Sequence, residues 1–139
     1  MRIYFDSCVV IYGVEQPAGD GASVLDAISC GNPSDEYVVS DLVRLECLVK
    51  PVRAGNQKAV AAIEDAIAGI AILPWNRDVF DKALDLRARL KFKTPGALHI
   101  AAALAHGCTE IWTNDARFQN VADLLTVRRF PQPPTSASP

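Results

Sequence analysis

The sequence predicts an α/β fold, a three-layer α/β/α sandwich built on a mainly parallel, five-stranded sheet. Short runs of β-branched and aromatic residues alternate along the chain with longer segments of helical apolar spacing. The 139 residues fit one domain, and 50% hydrophobic with 22% charged residues is a globular balance. We find no internal repeat and no boundary to a second domain in this pattern.

A strand begins the chain, and a second strand follows a helical stretch. Arg2 to Phe5 is rich in β-forming residues, and Val9 to Val14 continues as an apolar turn or short helix. Apolar spacing predicts a helix over Gly21 to Cys30, which Gly31-Asn32-Pro33 stops. Tyr37 to Val39 is predicted as the second strand.

Two helices follow the second strand. The first has Ser40 or Asp41 as its cap and runs to about Val49. Pro51 marks the end of this helix or a kink in it. The second helix covers Gln57 to Ala68 and is ended by a glycine.

The third strand, Ile70 to Leu73, stops at a proline. An amphipathic helix is predicted over Val79 to Leu90, and its apolar face consists of Val79, Phe80, Ala83, Leu84 and Leu90. Thr94-Pro95 begins the next helix with a cap and a first-turn proline. This helix runs through Ala105 and stops at Gly107.

Two strands complete the predicted sheet. Ile111-Trp112 forms the fourth strand, a short helix follows near Phe118, and Leu125 to Phe130 forms the fifth strand. The predicted domain therefore covers residues 1–130. The Pro/Ser-rich tail, residues 131–139, is expected to be disordered.

Charge and composition restrict the function. The net charge is −2, from 14 basic and 16 acidic side chains, so a nucleic-acid partner must bind a local basic patch. The N-terminal residues lack a signal-peptide pattern, and charges interrupt every apolar run before membrane-spanning length, so we expect a cytoplasmic protein without membrane contact. No C-x-x-C pair occurs among the four cysteines, which disfavours a zinc site or a disulfide framework.

Two aspartates follow predicted strands. Asp6 comes directly after the first strand, and Asp115 comes directly after the fourth. Ligands of open α/β sheets bind beyond the carboxyl ends of the strands, so these carboxylates would converge if both strands are parallel and central. The alternative for each is an ordinary turn or capping aspartate.

Glu46 is placed on or beside an apolar helix stripe that includes Leu42 and Val49. A carboxylate there must be paired, hydrogen-bonded or bound to a cation, because burying it alone is costly. The alternatives are a salt bridge with Arg44 or Lys50, or a stripe edge that reaches water.

A hard divalent cation would reconcile three carboxylates in one pocket. Asp6, Glu46 and Asp115 would otherwise repel one another and raise one another's pKa values. Mg²⁺ or Mn²⁺ suits carboxylate and water ligands, and such an ion activates a water and stabilises charge on a phosphodiester.

Four sequence segments contain these acids or lie near them. They are I-Y-F-D-S at Ile3 to Ser7, S-D-L-V-R-L-E at Ser40 to Glu46, T-P-G-A-L-H-I-A-A-A at Thr94 to Ala103 and T-N-D-A-R-F at Thr113 to Phe118. Each segment is weak alone, but the order and spacing of all four are fairly specific. Over nearly the whole chain up to the tail, the sequence resembles the PIN-domain ribonucleases, specifically the VapC-like toxins of bacterial type II toxin–antitoxin pairs.

The resemblance implies a Mg²⁺-dependent endoribonuclease toxin that cleaves RNA with a metal-activated water. The family's catalytic and metal-binding acids map onto Asp6, Glu46 and Asp115. Nearby polar supports map onto Ser7, Ser40, Thr113 and Asn114. The resemblance further implies a homodimer and a cognate antitoxin that inserts a segment near the acidic pocket.

Gly96 departs from the family pattern. Family members usually carry an aspartate after the Thr-Pro or Leu-Pro that begins this helix. A helix dipole would favour an acid there, whereas glycine costs about 0.5–1 kcal/mol relative to alanine inside a helix. Three explanations of Gly96 are open. It is a selected or deliberate inactivating change, or a natural residue with a neighbour or water in place of the lost ligand. In the third, the protein has kept its binding role and lost catalysis. We predict weaker metal binding and reduced or absent cleavage, with the fold intact.

Other side chains are weaker candidates. His99 and His106 share one helix face, and His99 could border the pocket, although a core histidine with a hydrogen-bond partner is the favoured reading. Lys91, Lys93 and Arg117 are the best candidates for RNA phosphate contact, against the default of solvated surface charge.

Two other functions compete with a catalytic toxin. A non-catalytic protein of the same fold would bind antitoxin or RNA, and Gly96 keeps that reading open. A receiver domain or haloacid-type phosphatase is disfavoured, because the run Asp6-Ser7-Cys8 lacks the further acids of those folds.

Overall fold

The structure, a computed structural model, describes residues 1–15, 22, 24, 26 and 32–130. Five strands form one sheet in the order β3-β2-β1-β4-β5, and every neighbouring pair is parallel. The strands are β1 Arg2–Phe5, β2 Glu36–Ser40, β3 Ala71–Leu73, β4 Glu110–Thr113 and β5 Thr126–Arg129. The predicted α/β sandwich with a five-stranded parallel sheet is thus confirmed.

Helices connect the strands. They are α1 Ser7–Glu15, α2 Asp41–Arg53, α3 Gln57–Ala68, α4 Arg77–Leu90 and α5 Thr94–Ala105, and a 3-10 helix covers Ala116–Val121. In the described part of the chain, no helix is long and apolar enough to cross a membrane. The predicted tail at 131–139 and most of the predicted helix at Gly21 to Cys30 lie outside the described residues, although Ala22, Val24 and Asp26 are helical.

The middle strand β1 and the helix α5 contribute fully buried residues to the core. Tyr4 and Phe5 of β1 are fully buried, as are Ile100, Ala101 and Ala102 of α5. A parallel sheet covered on both faces needs apolar residues on both sides of its central strands, which explains the continuous apolar run of β1. Because α5 is apolar around most of its circumference, it packs inside the domain.

Helix boundaries correct several predictions. α2 continues past Val49 to Arg53 with Pro51 inside its last turns, so the proline does not end it there. Ser40 stands at the N-cap, but its side chain makes no capping hydrogen bond, because its hydroxyl pairs with Tyr4. The N-cap of α5 is Lys93 rather than the predicted threonine.

The apolar face predicted for α4 is wrong in part. Val79 and Ala83 are buried together with Leu86, one continuous stripe at helical spacing. Phe80 and Leu84, which are 51% and 68% exposed, form a neighbouring stripe on the exposed side of α4, and Leu90 is 38% exposed. Two adjacent apolar stripes on one helix cannot be ranked from their spacing alone.

Candidate metal centre

The carboxyl ends of the two central strands place Asp6 beside Thr113. β1 and β4 are paired in register, with Phe5 opposite Trp112. The next residues along the two strands, Asp6 and Thr113, therefore meet at the same edge of the sheet. The Thr113 hydroxyl donates a hydrogen bond of 2.7 Å to Asp6 Oδ2.

Asp6 is a buried carboxylate, 7% exposed, that is held by its neighbours. The Ser7 backbone N–H donates to Asp6 Oδ1 at 2.8 Å, at the start of α1. The Cys8 thiol lies 3.4 Å from Asp6 Oδ2. With Thr113 these contacts fix both oxygens, so the carboxylate presents a defined edge to the pocket.

Glu46 reaches the same place from α2. The predicted stripe is partly wrong, because Val49 is exposed, while Val43 and Cys47 are the buried residues next to the glutamate. Glu46 Oε1 lies 2.5 Å from His99 Nε2. The salt-bridge partner proposed from the sequence, Arg44, instead pairs with Glu64 on α3, so it does not neutralise Glu46.

His99 joins the two carboxylates. Its side chain is 3% exposed, and its Nε2 atom lies 3.4 Å from Asp6 Oδ1 as well as close to Glu46. Its Nδ1 atom lies 2.7 Å from the Tyr4 hydroxyl, which lies 2.8 Å from the Ser40 hydroxyl. Ser40, predicted as a support, therefore acts from behind the pocket.

The electrostatics differ from the predicted mutual repulsion of carboxylates. Burial raises the pKa of Glu46, but the hydrogen bond and charge of His99, with a smaller contribution from Ser7, outweigh it and leave this pKa below its usual value of 4.5. The net effect is a lower pKa because an imidazole, rather than another carboxylate, faces Glu46.

Asp115 lines the same pocket but stands at its rim. Arg117 binds it with two side-chain nitrogens, at 3.0 and 2.5 Å. The Arg117 hydrogen bonds lower the pKa of Asp115 below its usual value of 3.8, against a smaller opposing effect of burial. The structure thus brings Asp6 and Glu46 together and leaves Asp115 in an ion pair nearby.

Asp6, Glu46 and His99 can hold a metal ion. One ligand atom from each lies within 4.8 Å of the other two. Carboxylate oxygen and imidazole nitrogen are both common ligands of divalent metals, so the donor set fits such an ion.

Gly96 lines this pocket from the first turn of α5. A Cβ atom there would lie 3.5 Å from Phe118 Cε1 and 3.6 Å from Phe92 Cδ1, which are ordinary contacts. The position that the sequence singled out therefore faces the site, and the surroundings of its Cα leave room for a side chain.

Other predicted residues divide between pocket and surface. Ser7, Asn114, Lys93 and Arg117 line the pocket, and Lys91 is not among the lining residues. Lys91 ends α4 in a left-handed conformation, with φ of 59°. The sequence-based reading undervalued His99, whose spacing from Gly96 was the available signal.

His106 does not reach the pocket with His99. It follows α5 at the opposite end, where its Nε2 atom bonds the Pro74 carbonyl. The two histidines, which were predicted to share a helix face, therefore do not contribute to one site.

Comparison with known families identifies the fold. The sequence profile of the PIN domain matches residues 3–124. The chain belongs to the PIN domain family. A comparison with curated protein sequences gave no significant match. Membership of the PIN family excludes the receiver-domain and phosphatase alternatives.

Solved structures share this PIN fold. The VapBC2 structure from Rickettsia felis bound to a promoter DNA fragment matches with a TM-score of 0.78 and 12% identity, covering 93% of this chain and 98% of that one. VapBC-1 from nontypeable Haemophilus influenzae gives 0.75 and 19%, with coverage of 93% and 98%. A toxin–antitoxin complex from Klebsiella pneumoniae gives 0.65 and 20%, with coverage of 90% and 94%.

Proposed function

We propose that this PIN protein is a metal-dependent endoribonuclease toxin of a toxin–antitoxin pair, whose cleavage with Mg²⁺ is weakened or abolished by Gly96. The observation that carries the proposal is the convergence of Asp6 and Glu46 at the carboxyl edge of the sheet. The similar structures are VapBC and toxin–antitoxin complexes, which supports assignment to the toxin class.

The residues of the pocket suit hydrolysis of a phosphodiester. Asp6 and Glu46 would hold Mg²⁺ or Mn²⁺, and Asp115 would join them when its ion pair with Arg117 opens. Such an ion, when bound, supplies an activated water and stabilises charge on phosphate. The Ser7 N–H and the Thr113 hydroxyl hold the two Asp6 oxygens in a fixed orientation, which would suit a metal ligand.

RNA would approach over the basic rim of the pocket. Lys93 and Arg117 line it, and Lys91 precedes Lys93 on the connection between α4 and α5. Arg117 pairs with Asp115 in the protein alone, and an RNA phosphate would compete for the guanidinium. A local patch of this kind compensates for the net charge of −2.

The antitoxin would dock in an apolar groove beside the acidic pocket. The groove lies between α1, α2 and α3, and Ile11, Val14, Cys47 and Ile63 line it. Glu46 lines both the groove and the acidic pocket, so a segment bound in the groove would end at the metal centre. This arrangement suits inhibition by a partner chain.

A homodimer is part of the same proposal. Leu45, Val49 and Val52 form one apolar stripe on α2, with exposures of 57%, 43% and 61%. On α4, Phe80 and Leu84 form a second exposed stripe. Exposed apolar patches of this kind are commonly covered by protein partners.

The alternative is a non-catalytic PIN protein that binds antitoxin or RNA. Two observations favour it: Gly96 supplies no carboxylate, and Arg117 already occupies Asp115.

Cleavage of total bacterial RNA, with mapping of new 5′ ends, separates the two functions. We expect weak cleavage by the wild type with Mg²⁺ and at least about tenfold faster cleavage by Gly96→Asp, because a carboxylate is restored at the pocket. Asp6→Asn in the Gly96→Asp background is the matched inactive control. If neither the wild type nor Gly96→Asp cleaves RNA with Mg²⁺ or Mn²⁺ while both remain folded, the enzyme proposal fails and the binding protein is favoured.

A further inference from the structure

His99 occupies the place next to the missing acid. It lies three residues after Gly96 in α5, so both positions face the same side of the helix and the same pocket. Its Nε2 atom is 2.5 Å from Glu46 Oε1 and 3.4 Å from Asp6 Oδ1. The imidazole nitrogen therefore lies at the point where the two carboxylates meet.

The ring of His99 is oriented from behind. Tyr4 and Ser40 are fully buried, and their hydroxyls continue the hydrogen-bond chain from His99 Nδ1 into the core. When Nδ1–H donates to Tyr4 and the Tyr4 hydroxyl donates to Ser40, Nε2 carries a free lone pair. Metal-binding histidines are typically oriented by such a bond from the second ring nitrogen to an oxygen.

An ordinary core histidine explains the geometry less completely. One N–H at Nε2 can bond Glu46, and Ser7 and Thr113 donate hydrogen bonds to Asp6, but these two neutral donors do not neutralise the charge of the second buried carboxylate. Among the described residues, no lysine or arginine forms an ion pair with either carboxylate. A cation between the three groups would satisfy both carboxylates and the ring together.

We propose that His99 is a direct metal ligand that takes the place left open by Gly96, giving a site of Asp6, Glu46 and His99. This inference rests on the proposed function, because it concerns the same metal centre. For Nε2 to bind the metal, the ring must be neutral with its one proton on Nδ1, so a proton that lies between Nε2 and Glu46 is released to solvent when the metal binds. The protein ligands of the metal are then two carboxylates and one imidazole.

This donor set changes the metal preference. Mg²⁺ prefers oxygen ligands, whereas an imidazole nitrogen favours transition metals, with affinity rising from Mn²⁺ through Co²⁺ to Ni²⁺. The site should therefore bind Mn²⁺ and Co²⁺ more tightly than Mg²⁺. A PIN site with an aspartate at position 96 would have a more oxygen-rich set and a smaller difference between these ions.

Pulsed electron paramagnetic resonance of bound Mn²⁺ tests the proposal on the wild-type protein. The chain contains two histidines, so nitrogen coupling from a bound imidazole comes from His99 or His106. We expect ¹⁴N coupling in the wild type, its retention in His106→Gln and its loss in His99→Gln. Calorimetry should show at least about tenfold weaker Co²⁺ binding in His99→Gln and a smaller change for Mg²⁺.

Two results would overturn the proposal. The first is Mn²⁺ binding that requires Asp6 but gives no ¹⁴N coupling in the wild type. The imidazole would then be a hydrogen-bond partner only, and the proposed metal-dependent function would stand. The second is a wild type that binds neither Mn²⁺ nor Co²⁺, which would remove the metal centre itself. Because the wild-type spectrum decides the first case, the test does not depend on His99→Gln folding.

Discussion

Removing the Tyr4 hydroxyl should destabilise the fold and remove the hydrogen bond that orients the His99 ring. Tyr4→Phe keeps the ring in the core and deletes one oxygen. That oxygen is fully buried and lies 2.8 Å from Ser40 Oγ and 2.7 Å from His99 Nδ1. The substitution thus breaks two hydrogen bonds and leaves two buried polar atoms with lost partners.

The size of the effect follows from these two bonds. Each net hydrogen bond contributes about 1 kcal/mol, and a buried group left unsatisfied raises the cost, so the free energy of unfolding should fall by about 2–4 kcal/mol. A domain of this size loses roughly 3–4 °C of melting temperature per kcal/mol. Urea unfolding followed by circular dichroism measures the loss, and an unchanged slope with denaturant would show that the unfolded state is not altered.

Tyr12→Phe is the matched control. The Tyr12 side chain is half-buried on α1, and its hydroxyl makes no hydrogen bond to any residue within the described ranges. This variant should stay within about 0.5 kcal/mol of the wild type. A Tyr4→Phe variant as stable as the control would refute the buried relay from Ser40 through Tyr4 to His99.

Three further predictions concern single sites. Arg117→Gln should raise the pKa of Asp115 toward 3.8, because the hydrogen bond from Arg117 is the main cause of its lowered pKa. The ion pair stabilises the fold above the usual carboxyl pKa, and this stabilisation is lost as the pH falls through the lowered pKa of Asp115. A carboxyl ¹³C titration by NMR measures this, and an unshifted curve would contradict it. Gly96→Ala should stabilise the fold by about 0.5–1 kcal/mol in urea unfolding, since its methyl meets Phe118 at an ordinary 3.5 Å; a loss of stability would show hidden strain. Burial, with the charge of Asp6, raises the pKa of Cys8 to about 12. Iodoacetamide at pH 8 should therefore alkylate Cys8 far more slowly in the native than in the unfolded protein. Peptide mass mapping measures the ratio of the two alkylation rates, and equal rates would contradict the burial of the thiol.

The architecture could be predicted from local signals where these agree with one another. The boundaries of α3 match the prediction, Gln57–Ala68, because Asn56 caps its start and Gly69 follows its end. The buried face of α4 could not be predicted, because Phe80 and Leu84 are as apolar as the residues that face the core. Only the packing of α4 against α5 decides which stripe is covered.

The site was predictable to the extent that strand ends determine it. Asp6 lies at the end of the central strand, where parallel α/β sheets bind ligands. The partner of Glu46 was not predictable, because His99 lies 53 residues away in sequence, in a helix that is apolar on nearly every side. The ion pair of Asp115 with Arg117 was likewise not predicted, since Asp115 had been assigned to the metal and Arg117 to RNA phosphate.

A crystal structure of the wild type with bound Mn²⁺, located by its anomalous scattering, tests the proposed metal centre most directly. We expect one peak at the carboxyl edge of β1, about 2.0–2.3 Å from oxygens of Asp6 and Glu46 and from His99 Nε2. A protein saturated with Mn²⁺ that shows no peak between these three side chains, with His99 still bonded to Glu46, would contradict it.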